Sequence, residues 1–233
     1  MTALTILTGP AAPLLIDNIN TDLIAPMYRP AQAGTLRGLG ANRADLAGML
    51  FAGWRYDTQD REIPEFVLNR APFRNARFLL AGANFGCGSS RDTAALMLSA
   101  FGIRCVAAPS FGEIFRDNCF KAGMLPLALE REVVTALAQD ANGGADFTLD
   151  LAAQTLRTPS GRIIRVDVPA FRREQLLCGA DEIAPMYRPA QAGTLRGLAV
   201  KRADLAGMLF ASWRYDTQDR KIPEFVLNRA PFR

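Results

Sequence analysis

Arg77-Phe-Leu-Leu-Ala81, Gly82-Ala-Asn-Phe-Gly-Cys-Gly-Ser-Ser-Arg91 and Asp92-Thr-Ala-Ala-Leu-Met-Leu-Ser-Ala-Phe101 follow one another without a break. Phe78 to Ala81 is a short apolar run, the length of a buried strand. Gly82, Gly86 and Gly88 permit backbone angles closed to other residues, and close approach of a ligand. Ser89 and Ser90 are good N-caps, with Asp92 or Thr93 in the first turn. Ala94 to Phe101 is a helix-forming run, and Gly102 supplies the stop. The stretch predicts a strand, a glycine-rich turn and a helix. Free N–H groups and the dipole at a helix start favour an anion. Arg91 adds a guanidinium suited to a bidentate grip on a carboxylate. Taken by themselves, the two serines also read as plain caps.

Much is excluded around this stretch. There is no G-x-x-x-x-G-K-[ST] and no G-x-G-x-x-G here, so neither nucleotide fingerprint is present. The chain has 233 residues, 49% hydrophobic and 21% charged, which suits a globular protein with a sizeable core. Its net charge is +4. The basic residues are nearly all arginines spread along the chain, with no basic stripe interleaved with aromatics, which argues against nucleic acid. Cys87, Cys105, Cys119 and Cys178 form no C-x-x-C pair, and histidine is absent. Zinc-site spacing is therefore missing, and a complete iron–sulfur ligand set is not expected. Cys105 and Cys119 read as small core residues. Residues 1–20 lack a basic start and carry Gly9-Pro10, so they do not read as a signal peptide. No run reaches transmembrane length, and the expected location is the cytoplasm.

Along the chain, residues 4–7 and 13–16 read as short strands around a turn at Thr8-Gly9-Pro10. A polar loop follows from Asp17 to Thr21. Residues 27–40 read as loop and 45–51 as a short helix. After the central unit, Ile103–Ala108 is a strand closed by Pro109. Phe111–Phe120 has helical spacing at Phe111, Ile114, Phe115 and Cys119, read as core, with Gly123 as its stop. Leu125–Leu129 reads as a strand and Glu130–Gln139 as a helix. Asp140–Ala145 reads as loop. Phe147–Leu151 and Ile163–Val168 read as strands flanking Thr158-Pro-Ser-Gly161. Pro169–Leu177 reads as a helix with proline in its first turn.

Asn84-Phe-Gly-Cys-Gly-Ser-Ser-Arg91 closely resembles the signature of the small subunits of 3-isopropylmalate dehydratases, in the aconitase superfamily. Asp17-Asn-Ile-Asn-Thr-Asp22 with Ile24-Ala-Pro26 is similar to that family's N-terminal motif. Trp54-Arg-Tyr56, Pro64-Glu-Phe-Val-Leu-Asn69, Ala108-Pro-Ser-Phe111, Asn118-Cys-Phe-Lys121 and Gly123-Met-Leu-Pro126 match in order. The resemblance spans about residues 4–183. It implies an α/β fold, a swivelling β/β/α three-layer domain over residues 1–180, closing on a large subunit to form a heterodimer. It implies a hydro-lyase, active only with that subunit, interconverting 2- and 3-isopropylmalate in leucine biosynthesis. The [4Fe–4S] cluster is expected in the large subunit, with no metal in this chain. By motif, Ser89 is the catalytic base and Arg91 its partner. Ser90 and Arg91 hold substrate carboxylates, and Gly88 belongs to the substrate-binding set. Thr21 and Asp22 line the opposite wall, though alone they also read as an Asx-type turn. Arg29 and Arg37 are in reach of a carboxylate from the next loop, though taken alone they also read as exposed arginines facing water. Two departures stand beside the site. Asp92-Thr93 replaces the family's Glu-His, and Ile24-Ala-Pro-Met27 replaces Ile-Ile-Pro-Lys. They leave open a related diacid substrate of methylmalate or homoaconitate type, or a non-catalytic paralogue.

Residues 181–233 repeat residues 22–74 at an offset of 159, with six of 53 positions different. The pairs are Leu23/Glu182, Gly40/Ala199, Ala41/Val200, Asn42/Lys201, Gly53/Ser212 and Glu62/Lys221. The second copy lacks the Asp17–Thr21 lead-in and reads as an appendage. Three of its changes raise helix propensity, which predicts more helix in 198–212 than in 39–53. The expectation is loose packing, with exchange against the first copy as the alternative.

Overall fold

The computed structural model describes residues 2–26, 42–88 and 92–179. Strand β2 (Phe78–Ala81) is buried along its whole length. Side chains alternate across a strand, so Leu79 and Ala81 enter one core while Phe78 and Leu80 enter a second. That is why its sequence is a continuous apolar run rather than an alternating one.

Strand β1 (Ile6–Leu14) lies beside β2, parallel to it over Ala11–Leu14. On the other side of β2, β3 (Cys105–Ala108) and β4 (Leu125–Ala128) continue the parallel set. The first half of β1 instead pairs antiparallel with β5 (Asp146–Asp150). Strands β6 (Thr155–Arg157) and β7 (Ile163–Arg165) complete the order β4-β3-β2-β1-β5-β6-β7.

Helices α1 (Thr21–Ile24), α2 (Arg43–Met49), α3 (Ala52–Arg55), α4 (Thr93–Phe101) and α5 (Glu113–Lys121) serve the first core. Helices α6 (Arg131–Ala141) and α7 (Ala170–Cys178) share the second core with the antiparallel strands, which curl over that face. This is the expected α/β three-layer arrangement. Buried Arg55 ties the 42–75 excursion together. Its Nε donates to Asn69 Oδ1 (3.0 Å), its Nη1 to the Ala47 carbonyl (2.9 Å), and its guanidinium stacks 5.1 Å from the Phe101 ring of α4.

Several expectations need correction. The expected turn at Thr8-Gly9-Pro10 is the middle of β1. There Gly9 leaves room for the Arg77 stem, whose Cγ would lie 2.2 Å from an added Cβ, and Pro10 accepts from Arg77 N–H (2.9 Å). Pro10 also marks the point where β1 changes from the antiparallel to the parallel partner. The short strand β6 was not foreseen, because three residues carry too little periodicity. Ile114, expected in the core, is 52% exposed, while Phe115 and Phe120 are buried. Helix α4 starts at Thr93 with Asp92 at the N-cap position, rather than on a serine cap, and the Asp92 side chain makes no cap bond. Helix α6 runs two residues further than expected, into the predicted loop. The loop at 27–40, Arg29, Arg37, Ser89, Ser90, Arg91 and the whole repeat at 181–233 lie outside the described residues.

Candidate functional site

The turn after β2 sits at the carboxyl ends of the parallel strands, where open α/β sheets place their ligands. It is laced to the loops on both sides. Asn20 and Cys87 form an isolated parallel bridge, and so do Phe85 and Phe111. On the β3 side, Phe85 N–H donates to the Ser110 carbonyl (3.0 Å), Asn84 N–H to Ser110 Oγ (2.8 Å), and Gly112 N–H to the Phe85 carbonyl (2.9 Å). Beneath it, the Phe85 ring meets Phe115 edge-on at 5.4 Å.

On the β1 side the lacing advances residue by residue. Asn18 N–H donates to the Ala83 carbonyl (2.8 Å), Gly86 N–H to the Ile19 carbonyl (2.7 Å), and Thr21 N–H to the Cys87 carbonyl (2.9 Å). Side chains reinforce it. Ala83 N–H donates to Asp17 Oδ1 (2.7 Å), and Asn84 Nδ2 donates to Asn18 Oδ1 (2.9 Å). Asn20 caps α1 by accepting from Leu23 N–H (2.8 Å), as N-cap asparagines do.

Of the residues expected at the site, Gly88, Thr21 and Asp22 are described. A Cβ on Gly88 would lie 3.6 Å from Thr21 Oγ1, so the structure brings Thr21 against the end of the glycine-rich turn. Thr21 is buried and Asp22, one residue on in α1, is exposed. Thr21 thus stands beside the turn, whose last described residue, Gly88, precedes Ser89 in sequence.

Residue-level reading assigned no role to Asp17, Asn18, Asn84, Ser110 or Arg131. The Asp17 carboxylate takes a two-pronged contact from Arg131, with Nη1 to Oδ1 at 3.2 Å and Nη2 to Oδ2 at 3.0 Å. The Arg131 bond, followed by the Ala83 amide, holds the Asp17 carboxyl below its ordinary value. One signal was in the sequence: Arg131 opens a helix, where a cation opposes the dipole unless something compensates it.

Among the described residues no group of three or more His, Cys, Asp or Glu is placed to hold a metal ion. Cys105 and Cys119 are buried, and burial pushes the Cys105 thiol up to about 12 and Cys119 well above its usual value. Thiols held protonated in an apolar core are poor metal ligands. No described helix is long and apolar enough to cross a membrane.

The family model for the aconitase C-terminal domain matches residues 1–132. A 3-isopropylmalate dehydratase small subunit from Rhodospirillum centenum is 48% identical over 193 residues, covering 82% of this chain and 91% of the relative. The corresponding subunit from Parvibaculum lavamentivorans is 48% identical over 179 residues, covering 76% and 85%. A crystal structure of 3-isopropylmalate dehydratase from Methanocaldococcus jannaschii superposes with a TM-score of 0.54 at 25% identity, covering 76% of this chain and 90% of that one. Fold and site together define an aconitase-type C-terminal domain. Within that class, the chain belongs to the family of 3-isopropylmalate dehydratase small subunits.

Proposed function

We propose that this chain is the small subunit of a hydro-lyase that interconverts 2- and 3-isopropylmalate by dehydration and rehydration in leucine biosynthesis. It acts with a large subunit, in the cytoplasm. The supporting observation is the registered contact of Thr21 with the end of the glycine-rich turn at Cys87 and Gly88, the two residues that lead in sequence to Ser89. The described residues of this chain offer no ligand set for a [4Fe–4S] cluster, so we assign the cluster to the large subunit. There it supplies Lewis-acid binding of the substrate's hydroxyl and carboxylate.

The work left to this chain is proton transfer and orientation. Ser89, as an alkoxide, takes the proton from the carbon next to a carboxylate. The C–O bond breaks with its electron pair leaving on hydroxide, and the elements of water return in exchanged positions: hydroxide to the carbon that lost the proton, and the proton, from Ser89, to the carbon that lost the hydroxyl. A serine is a base only if its anion is held, and Arg91 and the N–H groups leading into α4 are suited to that. Ser90 and Arg91 grip the carboxylates. Gly88 lets the backbone approach them, while Thr21, Asp22 and Arg29 close the far wall.

Asp92-Thr93 and Met27 depart from the family pattern within the two motifs that carry the proposed site residues. They favour, as the second reading, a related hydroxy-diacid substrate of methylmalate or homoaconitate type. We further propose that the domain is 1–180 and that 181–233 is an appendage.

Anaerobic co-expression with the cluster-bearing large subunit of the same organism tests these readings together. The full complex should turn over 2-isopropylmalate. Ser89→Ala should lower kcat by about 10²- to 10⁴-fold, the usual contribution of a positioned base. Truncation after Ile183 should leave both complex and turnover intact. A stable complex that ignores isopropylmalate but dehydrates another diacid would select the second reading.

A further inference from the structure

The Asp17–Arg131 pair is unusual for its position. Arg131 is the first residue of α6, whose other end is anchored in the second core through Leu137, Ala138 and Ala141. It reaches a carboxylate on the loop after β1, which serves the first core. Both side chains are about half exposed, 56% for Arg131 and 42% for Asp17, and exposed pairs add little to global stability. Yet Asp17 also accepts from the Ala83 amide at 2.7 Å, the first rung of the ladder between the 17–21 loop and the glycine-rich turn. The next residues on both strands of that ladder, Asn18 and Asn84, hold left-handed backbone angles (φ +60° and +56°) and bond to each other through their side chains. Such angles carry a cost, persist where neighbours over-determine them, and gather at functional sites.

We infer that Asp17, braced by Arg131, is a positioning residue for the reaction. It fixes the register of the 17–21 loop against the turn 82–88, and so the place of Thr21 against Gly88, the residue that precedes Ser89 in sequence. Without the carboxylate the ladder loses its first rung and its tie to α6. Thr21 then drifts relative to the turn 82–88, and displacements near one ångström are enough to impair a reaction that depends on orientation. The effect falls more on kcat than on KM, because the ladder orients Thr21 while the main carboxylate grip is assigned to Ser90 and Arg91. This inference rests on the proposed isomerase reading.

The test compares Asp17→Ala, Asp17→Asn and Arg131→Gln with the unaltered chain, each in complex with the large subunit. Asparagine keeps an acceptor for the Ala83 amide and loses the charge. The expectation for Asp17→Ala is a kcat lower by about 10- to 100-fold, with KM changed by less than about threefold. Asp17→Asn should recover most of the loss, and Arg131→Gln should fall between them. Hydrogen exchange of peptides covering 17–21 and 82–88 should quicken in Asp17→Ala, with the unfolding midpoint nearly unmoved. A kcat within about twofold of the unaltered complex overturns the inference. So does an equal loss in Asp17→Asn and Asp17→Ala. If the unaltered complex turns over no isopropylmalate, it is the isomerase reading that fails. Exchange alone then judges the inference: unchanged exchange at both peptides in Asp17→Ala overturns it, and quickened exchange supports it.

Discussion

Gly86 is where the glycine-rich turn meets the first core. Its φ is +73°, and a Cβ there would stand 2.2 Å from Phe115 Cγ. The position therefore demands a left-handed backbone and, separately, the absence of a side chain. Gly112 repeats the steric demand from the other side, since its Cβ would stand 2.5 Å from the Gly86 carbonyl oxygen. The Phe115 ring is buried between Phe85 and Phe111 and cannot step aside. Gly86→Ala should lower the unfolding free energy by about 2–5 kcal/mol, the combined scale of an unfavourable backbone and an overpacked core. Urea denaturation of the purified chain checks this. At this scale the sequence announced the glycines. It did not say which of them is pressed against a ring.

At the scale of the element, helix α2 shows how the first copy of the repeat earns its place. Asn42 caps it, accepting from Asp45 N–H at 3.0 Å. The second copy carries Lys201 at the matching position, and lysine has no acceptor to offer. Glu62, paired with Arg74 in the first copy, corresponds to Lys221, so that contact would turn from attraction to like charge. By contrast Gly53 has open space at its Cβ, and the serine of the second copy would fit. Two of the changes thus oppose exchange of the second copy into the first copy's site. In the first copy position 42 is a cap and not a helix interior, so the asparagine-to-lysine change sets a lost cap against its gain in propensity. Asn42→Lys should destabilise the chain by about 0.5–2 kcal/mol, measurable as a lower urea midpoint at unchanged slope. Strand β1 makes a related point. Gly-Pro reads locally as a turn, but two different neighbours hold the strand straight through it.

For the molecule as a whole, acid is the condition that tests its electrostatics. Three carboxylates, Asp17, Asp57 and Asp140, are held below the usual 3.8. For Asp17 the Arg131 bond leads and the Ala83 amide follows. For Asp57 it is the Arg61 backbone amide and then its side chain. For Asp140, partial desolvation pulls upward but is outweighed by bonds from Ser160, Thr158 and Arg162. A depressed folded value means stability that is fully present above 3.8 and lost as pH falls through the lower folded values. With no histidine in the chain, no imidazole titrates near neutrality. These groups are solvent-accessible and screened, so the unfolding midpoint should be nearly flat from about pH 7 to 5 and decline modestly below about pH 4. Thermal melts across that range check it, and Asp17→Asn should make the acid limb shallower.

The sequence by itself determined the parallel strands β2, β3 and β4, the helices between them and the glycine-rich turn. Each is a local matter of apolar runs, helix formers and stops, and an ordered set of motifs carried the family. The tertiary structure decided the rest. It made β1 one strand, because two ladders outweigh a local turn signal. It moved the start of α4 to Thr93 and turned Ile114 outward, because burial depends on which neighbours arrive. It joined Asp17 to Arg131, 114 residues apart, because a salt bridge between a loop and a distant helix leaves only one trace in sequence, a cation opening a helix.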